Sequence, residues 1–148
     1  MRVVDYLSDD ELGVYLRAVR VFAMLAERSA ESVGLTLAQM RLLFTVSDLG
    51  VASCSAVAAR LHVSVSSVTR LIARPAMSPL VSRNISPANA SAVDLELTAD
   101  GAATVKRVTA SRERVLRAAL AGTEERTASA STSELARVID RVGEQVWS

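Results

Sequence analysis

The sequence predicts a mainly α-helical protein with one small β-hairpin. Half of its 148 residues are hydrophobic but only 3% are aromatic, so the core must be built from aliphatic side chains. An alanine- and leucine-rich core favours helices, because strands are enriched in aromatic and β-branched residues. Capped segments with apolar residues three and four positions apart fill most of the chain, whereas the stretch from Val93 to Leu97 alternates between apolar and acidic residues.

The first predicted helix is long and begins at a capping box formed by Ser8 and Glu11. Gly34 is its expected stop. One small lobe cannot cover so long an apolar stripe, so residues 1–35 are predicted to be an N-terminal dimerisation helix. The stripe recurs at helical spacing and consists of Leu12, Leu16, Val19, Ala23, Ala26 and Ala30.

Two shorter helices are predicted to follow. Thr36 and Gln39 form a second capping box at the start of the second helix. The third helix is expected from Ala56 to Leu61, and either Ser53 or Ser55 can cap it, because a serine hydroxyl accepts a hydrogen bond from the first turn.

The fourth predicted helix starts after a three-residue break at 62–64, with Ser64 as its N-cap. Pro75 should stop or kink this helix, because the residue before a proline is pushed out of the α region. Its inward-facing residues are expected to be Val68, Leu71 and Ile72.

Two short β-rich segments come next, from Leu80 to Ile85 and from Val93 to Leu97, around a turn-forming tip at residues 86–91. A helix pair with a tight break, followed by a two-stranded hairpin, is the order of a winged helix-turn-helix. In that arrangement the second helix of the pair enters the major groove of DNA. Residues 36–98 are therefore predicted to be a winged helix-turn-helix DNA-binding lobe.

The C-terminal third of the chain is predicted to be helical again. Thr98 caps a fifth helix, and Ser133 is the expected cap of the last one. The polar stretch at residues 122–132 is predicted to be a joint between them. Residues 99–148 are therefore predicted to be C-terminal dimerisation helices.

Several function classes are excluded by composition. One histidine and one cysteine cannot form a multi-ligand zinc site, and the sequence has neither a glycine-rich phosphate loop nor a grouping typical of nucleophilic catalysis. No cofactor and no enzymatic activity are predicted. The longest uncharged run, Leu49 to Ala59, is too short to span a bilayer, so no membrane partner is expected. A single cysteine and an N-terminus unlike a signal peptide indicate a cytoplasmic protein.

Charge gives a weak indication of nucleic-acid binding. Residues 36–98 contain five arginines and three acidic residues, which leaves a net charge of +2 in the predicted lobe, whereas the whole chain carries +1. An excess of this size is much smaller than that of a basic DNA-binding arm.

Four segments resemble the MarR family of bacterial transcription regulators: LTLAQMRLLFTV, SAVAARLHVSVSSVTRLIAR, LVSR and LELTADG. The resemblance implies a homodimer that is built from the first helix and the last two and that binds a palindromic operator in double-stranded DNA. Members of this family are usually repressors that a small ligand releases, so a small apolar or aromatic effector is expected.

The resemblance also places candidate DNA contacts on the fourth helix and the first wing strand. Serine and threonine hydroxyls can bind phosphates or bases, and arginine can read guanine through two hydrogen bonds. The matching positions are Ser64, Ser66, Ser67, Thr69, Arg70, Arg74 and Arg83.

Three departures from the family pattern are visible. Pro75 and Pro79 stand where leucine and glycine are usual, and Asn89 and Ser91 replace the aspartate and arginine of the wing. The arginine expected to reach the minor groove is therefore missing. Cys54 is expected to be a structural thiol, because the thiol sensors of the family carry their cysteine in the first helix. We predict a dimeric DNA-binding repressor; the alternative is a degenerate winged-helix module for protein interaction or dimerisation, with weak or no DNA binding.

Overall fold

The computed structural model describes residues 9–87, 89–121 and 125–147. They form six helices and a three-stranded antiparallel sheet, which confirms the mainly helical fold class. The elements in chain order are α1 (Asp9–Glu31), α2 (Leu37–Leu49), β1 (Ala52–Ser53), α3 (Cys54–Leu61), α4 (Val65–Ile72), β2 (Val81–Ser86), β3 (Asn89–Leu97), α5 (Ala99–Leu120) and α6 (Glu125–Trp147).

The chain divides into two compact units, Met1–Arg112 and Glu113–Ser148. The sequence analysis divides the chain by function instead, into a dimerisation helix (1–35), a DNA-binding lobe (36–98) and C-terminal dimerisation helices (99–148). That functional division stays a prediction. No helix in the described ranges combines the length and the hydropathy needed to cross a membrane.

The ends of α1 follow from its local sequence. The helix begins at Asp9, so Ser8 of the expected capping box lies outside the described residues. Asp9, Asp10 and Glu11 occupy the first turn, where negative charge interacts favourably with the helix dipole. Gly34, three residues beyond the end, has a φ of 75°, a left-handed conformation that glycine adopts without steric cost. The predicted stop is therefore close to the observed one.

The apolar stripe of α1 is only partly covered within the first unit. Ala30, near the C-terminal end of the helix, is fully buried. Leu12, Leu16 and Val19 are exposed, and Val19 retains 68% of its accessible surface. The described part of the first unit thus leaves much of the N-terminal half of the predicted stripe exposed.

The caps of α2 and α3 explain where these helices begin. In the predicted capping box, the Thr36 amide donates to Gln39 Oε1 at 2.9 Å and the Gln39 amide donates to Thr36 Oγ1 at 3.3 Å. Ser53, one of the two predicted candidates, caps α3 by accepting a hydrogen bond from the Ala56 amide at 3.1 Å. The start of α3 is therefore Cys54, two residues earlier than expected.

The core of the first unit is aliphatic, as the composition predicts. It lies where α2, α3 and α4 pack together and against the sheet. The largest fully buried side chains are those of Met40, Leu42, Leu43, Met77, Leu95, Val46, Val57, Val68 and Val108.

The sheet differs from the predicted two-stranded hairpin in two respects. A third strand, β1, pairs with β3 through Ala52 and Leu95, giving the order β1-β3-β2. Two residues are too few to show an alternating pattern, so no sequence signal marked this strand. In addition, β3 begins at Asn89 rather than Val93, because pairing of Asn89 with Ser86 across a bulge extends the ladder into the predicted tip.

Arg112 joins three helices of the first unit. Its Nε donates to Ser29 Oγ on α1 at 2.8 Å, and its guanidinium lies 4.9 Å from the centre of the Phe44 ring on α2. Partial burial lowers the pKa of Arg112, but an arginine stays charged at any physiological pH. The contact fixes α5 against α1 and α2 and so positions the lobe that α2 to β3 form.

The start of α5 lies very close to the backbone before β2. Thr98 Oγ1 donates to the Pro79 carbonyl at 2.6 Å and accepts from the Gly101 amide at 3.1 Å. A Cβ on Gly101 would overlap the carbonyl oxygen of Leu80 and lie 3.0 Å from its carbonyl carbon. Glycine is required at this position because a backbone carbonyl cannot move away as the end of a side chain can.

We therefore expect Gly101→Ala to destabilise the first unit by ~1–3 kcal/mol, the usual cost of forcing extra atoms into a packed site. The measurement is urea unfolding at a fixed protein concentration. Gly13→Ala is the matched control, because Gly13 is also helical but a Cβ there meets nothing within 4 Å. The control should be neutral or stabilising by up to ~1 kcal/mol. Equal unfolding midpoints for the two variants would contradict the close approach.

The second unit corrects the prediction for the C-terminal region. α6 begins at Glu125, so most of the expected joint at 122–132 is helical and Ser133 lies inside the helix rather than at its cap. The stretch is polar, and a polar stretch without apolar periodicity resembles a joint. Its alanines, Glu125 and Arg126 have high helix propensity, however, and a helix does not need an apolar residue in every turn. Leu120 and Ile139 are each 60% exposed within this unit.

Candidate nucleic-acid interface

The orientation of α4 is set by its caps and its buried face. The chain turns between α3 and α4 at His62, whose φ of 54° is left-handed. Ser64 is the N-cap and accepts a hydrogen bond from the Ser67 amide at 3.2 Å. Val68 and Ile72 are buried in the core. These contacts hold α4 with its opposite face toward solvent.

The outward face of α4 carries most of the predicted DNA contacts. Ser66, Thr69 and Arg70 are exposed. Ser64 Oγ lies 2.9 Å from Ser66 Oγ and 2.9 Å from Ser67 Oγ, so the three hydroxyls form one hydrogen-bonded group. A chain of hydroxyls at a helix N-terminus can present donors to a phosphate, which the helix dipole also attracts.

Arg70 is connected to the same group. Its Nη2 donates to Ser67 Oγ at 3.3 Å, which engages one of the five N–H donors of the guanidinium. Thr69 Oγ1 donates to the Val65 carbonyl at 3.0 Å. Its one proton is therefore engaged, and the hydroxyl can act only as a hydrogen-bond acceptor toward a ligand. Arg70 is thus held beside the hydroxyls and still exposes a planar donor set suited to a guanine edge or a phosphate.

An open cleft of about 480 Å³ separates the N-terminal part of α4 from the wing formed by β2 and β3. Thr69 and Arg83, both predicted contacts, line it from opposite sides. Its full lining is Ser53, Cys54, Ser55, Val65, Thr69, Arg83, Asn89, Ala92 and Val93. The cleft brings one cation and several hydroxyls to one place, a combination that suits a sugar–phosphate backbone.

Arg74 stands apart from the other predicted contacts. α4 ends at Ile72, and Arg74 lies in the following turn, where its amide donates to the Leu71 carbonyl at 3.2 Å. Pro75 follows the end of the helix, in agreement with its predicted role as a stop. Pro79 accepts the Thr98 hydrogen bond and therefore helps to anchor the base of the wing.

Cys54 lies in the cleft, next to residues of the wing. Burial raises the pKa of its thiol, Arg83 acts in the opposite direction and Asp94 adds to the increase. The net increase keeps the thiol protonated at neutral pH, which is unfavourable for a reactive cysteine. The prediction of a structural thiol agrees with this direction.

The cleft also contains residues that sequence reasoning did not identify. Ser53, Ser55 and Asn89 line it, and so does Val93 of the wing. Ser53 and Ser55 were considered only as caps, since their approach to the wing depends on the pairing of β1 with β3. No local pattern in the sequence indicates this approach, because β1 is only two residues long.

Known proteins resemble this chain in part of its sequence and in its fold. The MarR family model matches residues 35–93. Among curated proteins, no sequence matches the chain. RV1404 from Mycobacterium tuberculosis has a similar structure, with a TM-score of 0.79 and 21% identity over 97% of this chain and 96% of that one. YusO from Bacillus subtilis is also similar, with a TM-score of 0.72 and 24% identity over 90% of this chain and 99% of that one.

A third similar structure is FabT from Streptococcus pneumoniae, which was solved in complex with DNA. Its TM-score is 0.76, with 15% identity over 93% of this chain and 99% of that one. The likeness thus extends beyond the matched lobe to the long flanking helices. Residues 35–93 thus match the MarR family model, and the similar structures share the winged helix-turn-helix fold over most of the chain.

Proposed function

We propose that the protein is a DNA-binding transcription regulator in which α4 lies in the major groove. The observation that carries the proposal is the two-sided character of α4. Val68 and Ile72 hold one face in the core, whereas Ser66, Thr69 and Arg70 face outward beside the cleft of the wing. The similarity to FabT, whose structure was solved with DNA, favours the same mode of binding.

Each candidate residue has a role in this proposal. Arg70 reads a base edge in the major groove. Arg83 and Arg74 bind phosphates on either side of it, which sets the register of the protein on the duplex without reading sequence. The hydroxyls of Ser64, Ser66 and Ser67 donate to phosphates next to the α4 N-terminus. The proton of Thr69 Oγ1 is engaged by the Val65 carbonyl, so this hydroxyl accepts a hydrogen bond from a base instead.

We further propose that the functional form is a homodimer on a palindromic operator. Leu12, Leu16 and Val19 form an uncovered apolar stripe on α1. In the second unit, Leu120 and Ile139 are likewise exposed. Apolar helix faces of this extent require cover, and a two-fold partner supplies an identical surface for each of them.

We also propose that the regulator is a repressor and that a small effector releases it from DNA. A dimer bound to promoter DNA excludes the polymerase by occupying the site, so no activating surface is needed. A small apolar or aromatic ligand that favours a different spacing of the two α4 helices would release the DNA. A DNA partner supports the proposal of a cytoplasmic location.

The experiment that tests DNA binding is an electrophoretic mobility shift at low salt. The probes are duplexes that the protein selects from a random-sequence library and, in parallel, the DNA upstream of its own gene. We expect a complex on a palindromic duplex that excess random DNA does not remove. The uncharged wing favours the alternative, a winged-helix interaction module, and the absence of any shift at low salt would support that alternative.

The wing should make DNA binding less sensitive to salt than a basic wing would. No residue from Asn84 to Val93 is charged, and each phosphate contact that is lost removes roughly 0.9 from the slope of log affinity against log salt concentration. One missing arginine in each subunit therefore lowers the slope of a dimer by about 1.8. We expect Ser91→Arg to steepen the slope and tighten binding, as measured by fluorescence anisotropy across a salt series. A parent slope as steep as that of Ser91→Arg would contradict the prediction, because the added arginine would then release no counterions.

A further inference from the structure

We propose that Val65 and Thr69 of α4 together read one A·T base pair in each half-site of the operator. Val65 contacts the methyl group of the thymine, and Thr69 accepts a hydrogen bond from the amino group of the adenine. The inference rests on the proposed DNA-binding function and deepens it, because it adds Val65 to the reading residues and assigns a base pair to them.

Val65 and Thr69 are neighbours on the surface of α4. Residues four positions apart in a helix lie one above the other, one turn apart. Both side chains are exposed, Val65 with 46% of its accessible surface, and both line the cleft beside the wing. Ser66 and Arg70 form a second exposed pair with the same spacing. The solvent side of α4 therefore carries a polar row and, next to it, a row that begins with a valine.

A hydrogen bond inside α4 decides what the second row can offer to a base. Thr69 Oγ1 donates its one proton to the Val65 carbonyl at 3.0 Å, so toward DNA it can only accept. In the major groove an acceptor suits the amino group of adenine or cytosine and is repelled by the oxygen of guanine or thymine. Val65 offers only methyl groups, whose apolar partner in that groove is the C5-methyl group of thymine. An A·T pair is the one natural base pair that satisfies both contacts.

The neighbouring valine shows that exposure alone does not carry the inference. Val63 is 42% exposed, but it lies in the turn before α4, where its amide donates to the Ala58 carbonyl at 3.0 Å, and it does not line the cleft. Single exposed apolar residues are ordinary on protein surfaces. Val65 differs because it is in the first turn of the helix, whose early side chains meet base edges, and because it stands beside an acceptor.

Modified duplexes test the two contacts separately. Uracil in place of thymine removes the C5-methyl group, and 2-aminopurine in place of adenine removes the major-groove amino group. Each is placed at one position at a time in a duplex that the parent protein selects, and the dissociation constant is measured by fluorescence anisotropy. We expect one A·T pair in each half-site at which uracil weakens binding about fourfold, the effect of one methyl group that is no longer buried. At the same pair, 2-aminopurine should weaken binding as well.

Protein variants then assign each contact to its residue. Val65→Ala should lose the response to uracil and keep the response to 2-aminopurine, because the deleted side chain and the deleted methyl group belong to one contact. Thr69→Val should show the reverse, since valine has nearly the same shape but no acceptor. Val63→Ala is the matched control, which removes the same atoms from an equally exposed valine and should keep both responses of the parent.

A merely structural role of Val65 predicts a different result. In that case Val65→Ala would weaken binding to all duplexes by the same factor and would still lose about fourfold on uracil. Retention of either response in the variant that lacks the corresponding contact overturns the inference, and so does a parent protein that no uracil substitution affects. Both outcomes leave the proposed function intact. Failure of the parent protein to bind any selected duplex overturns the inference and the proposed function together.

Discussion

Val19→Asp should convert the protein from a dimer to a monomer without unfolding either unit. Val19 is 68% exposed in the single chain, so the aspartate is solvated in the monomer and costs little there. In the proposed dimer the same position is covered by the partner, and an unpaired buried charge is strongly destabilising, by ~3–5 kcal/mol. Each 1.4 kcal/mol corresponds to a tenfold change in the dissociation constant, so we expect an increase of at least about 100-fold.

Sedimentation velocity over a concentration series measures this change, with circular dichroism as a check on folding. Val51→Asp is the matched control, since Val51 is 61% exposed and is placed between α2 and β1 rather than on α1. It introduces the same charge and should leave the dimer unchanged. A monomeric parent at micromolar concentration, or a dimeric Val19→Asp, would show that the α1 stripe is not the interface.

The helical part of the fold could be predicted because its signals are local. The capping box of Thr36 and Gln39 is formed by residues three positions apart, and so is the Ser64 cap of α4. The buried positions Val68 and Ile72 are four residues apart on one helix face. Each of these features depends on a stretch shorter than ten residues. The interactions that form it are therefore visible in the local sequence without knowledge of the tertiary contacts.

The parts that could not be predicted depend on contacts between distant residues. β1 exists because Ala52 pairs with Leu95, more than 40 residues further along the chain, and two residues carry no period of their own. The close position of Cys54 to Arg83 has the same origin, since both reach the cleft only after β1 pairs with β3. The sequence offers Thr69 and Arg83 as candidate contacts but does not indicate that one cleft joins them.

The α6 boundary was missed for a different reason. Residues 125–132 are rich in alanine, serine and threonine and lack large apolar side chains, so they show no apolar periodicity. Apolar periodicity reports which face of a helix is covered, not whether the backbone is helical. The favourable propensity of alanine and glutamate explains why the helix extends further than its apolar stripe.

Arg70→Ala should weaken operator binding and relax the preference for one base pair in each half-site. The residue is exposed and its one described hydrogen bond, to Ser67 Oγ, lies on the same helix, so neither the fold nor the dimer should change. A bidentate contact to guanine contributes ~1–3 kcal/mol of discrimination, which corresponds to about 5- to 150-fold per half-site. The measurement is a competition assay against duplexes that carry each alternative base pair.

Two further variants separate base reading from phosphate binding. Arg70→Lys keeps the charge but loses the planar pair of donors, so it should recover part of the affinity and none of the base preference. Arg41→Ala removes an exposed arginine of α2 and is the control for net charge. A phosphate contact predicts a different result, in which Arg70→Ala weakens all sequences equally and lysine restores binding in full. That outcome would assign Arg70 to the DNA backbone and would leave the reading of bases to the exposed hydroxyls of Ser66 and Thr69 on α4.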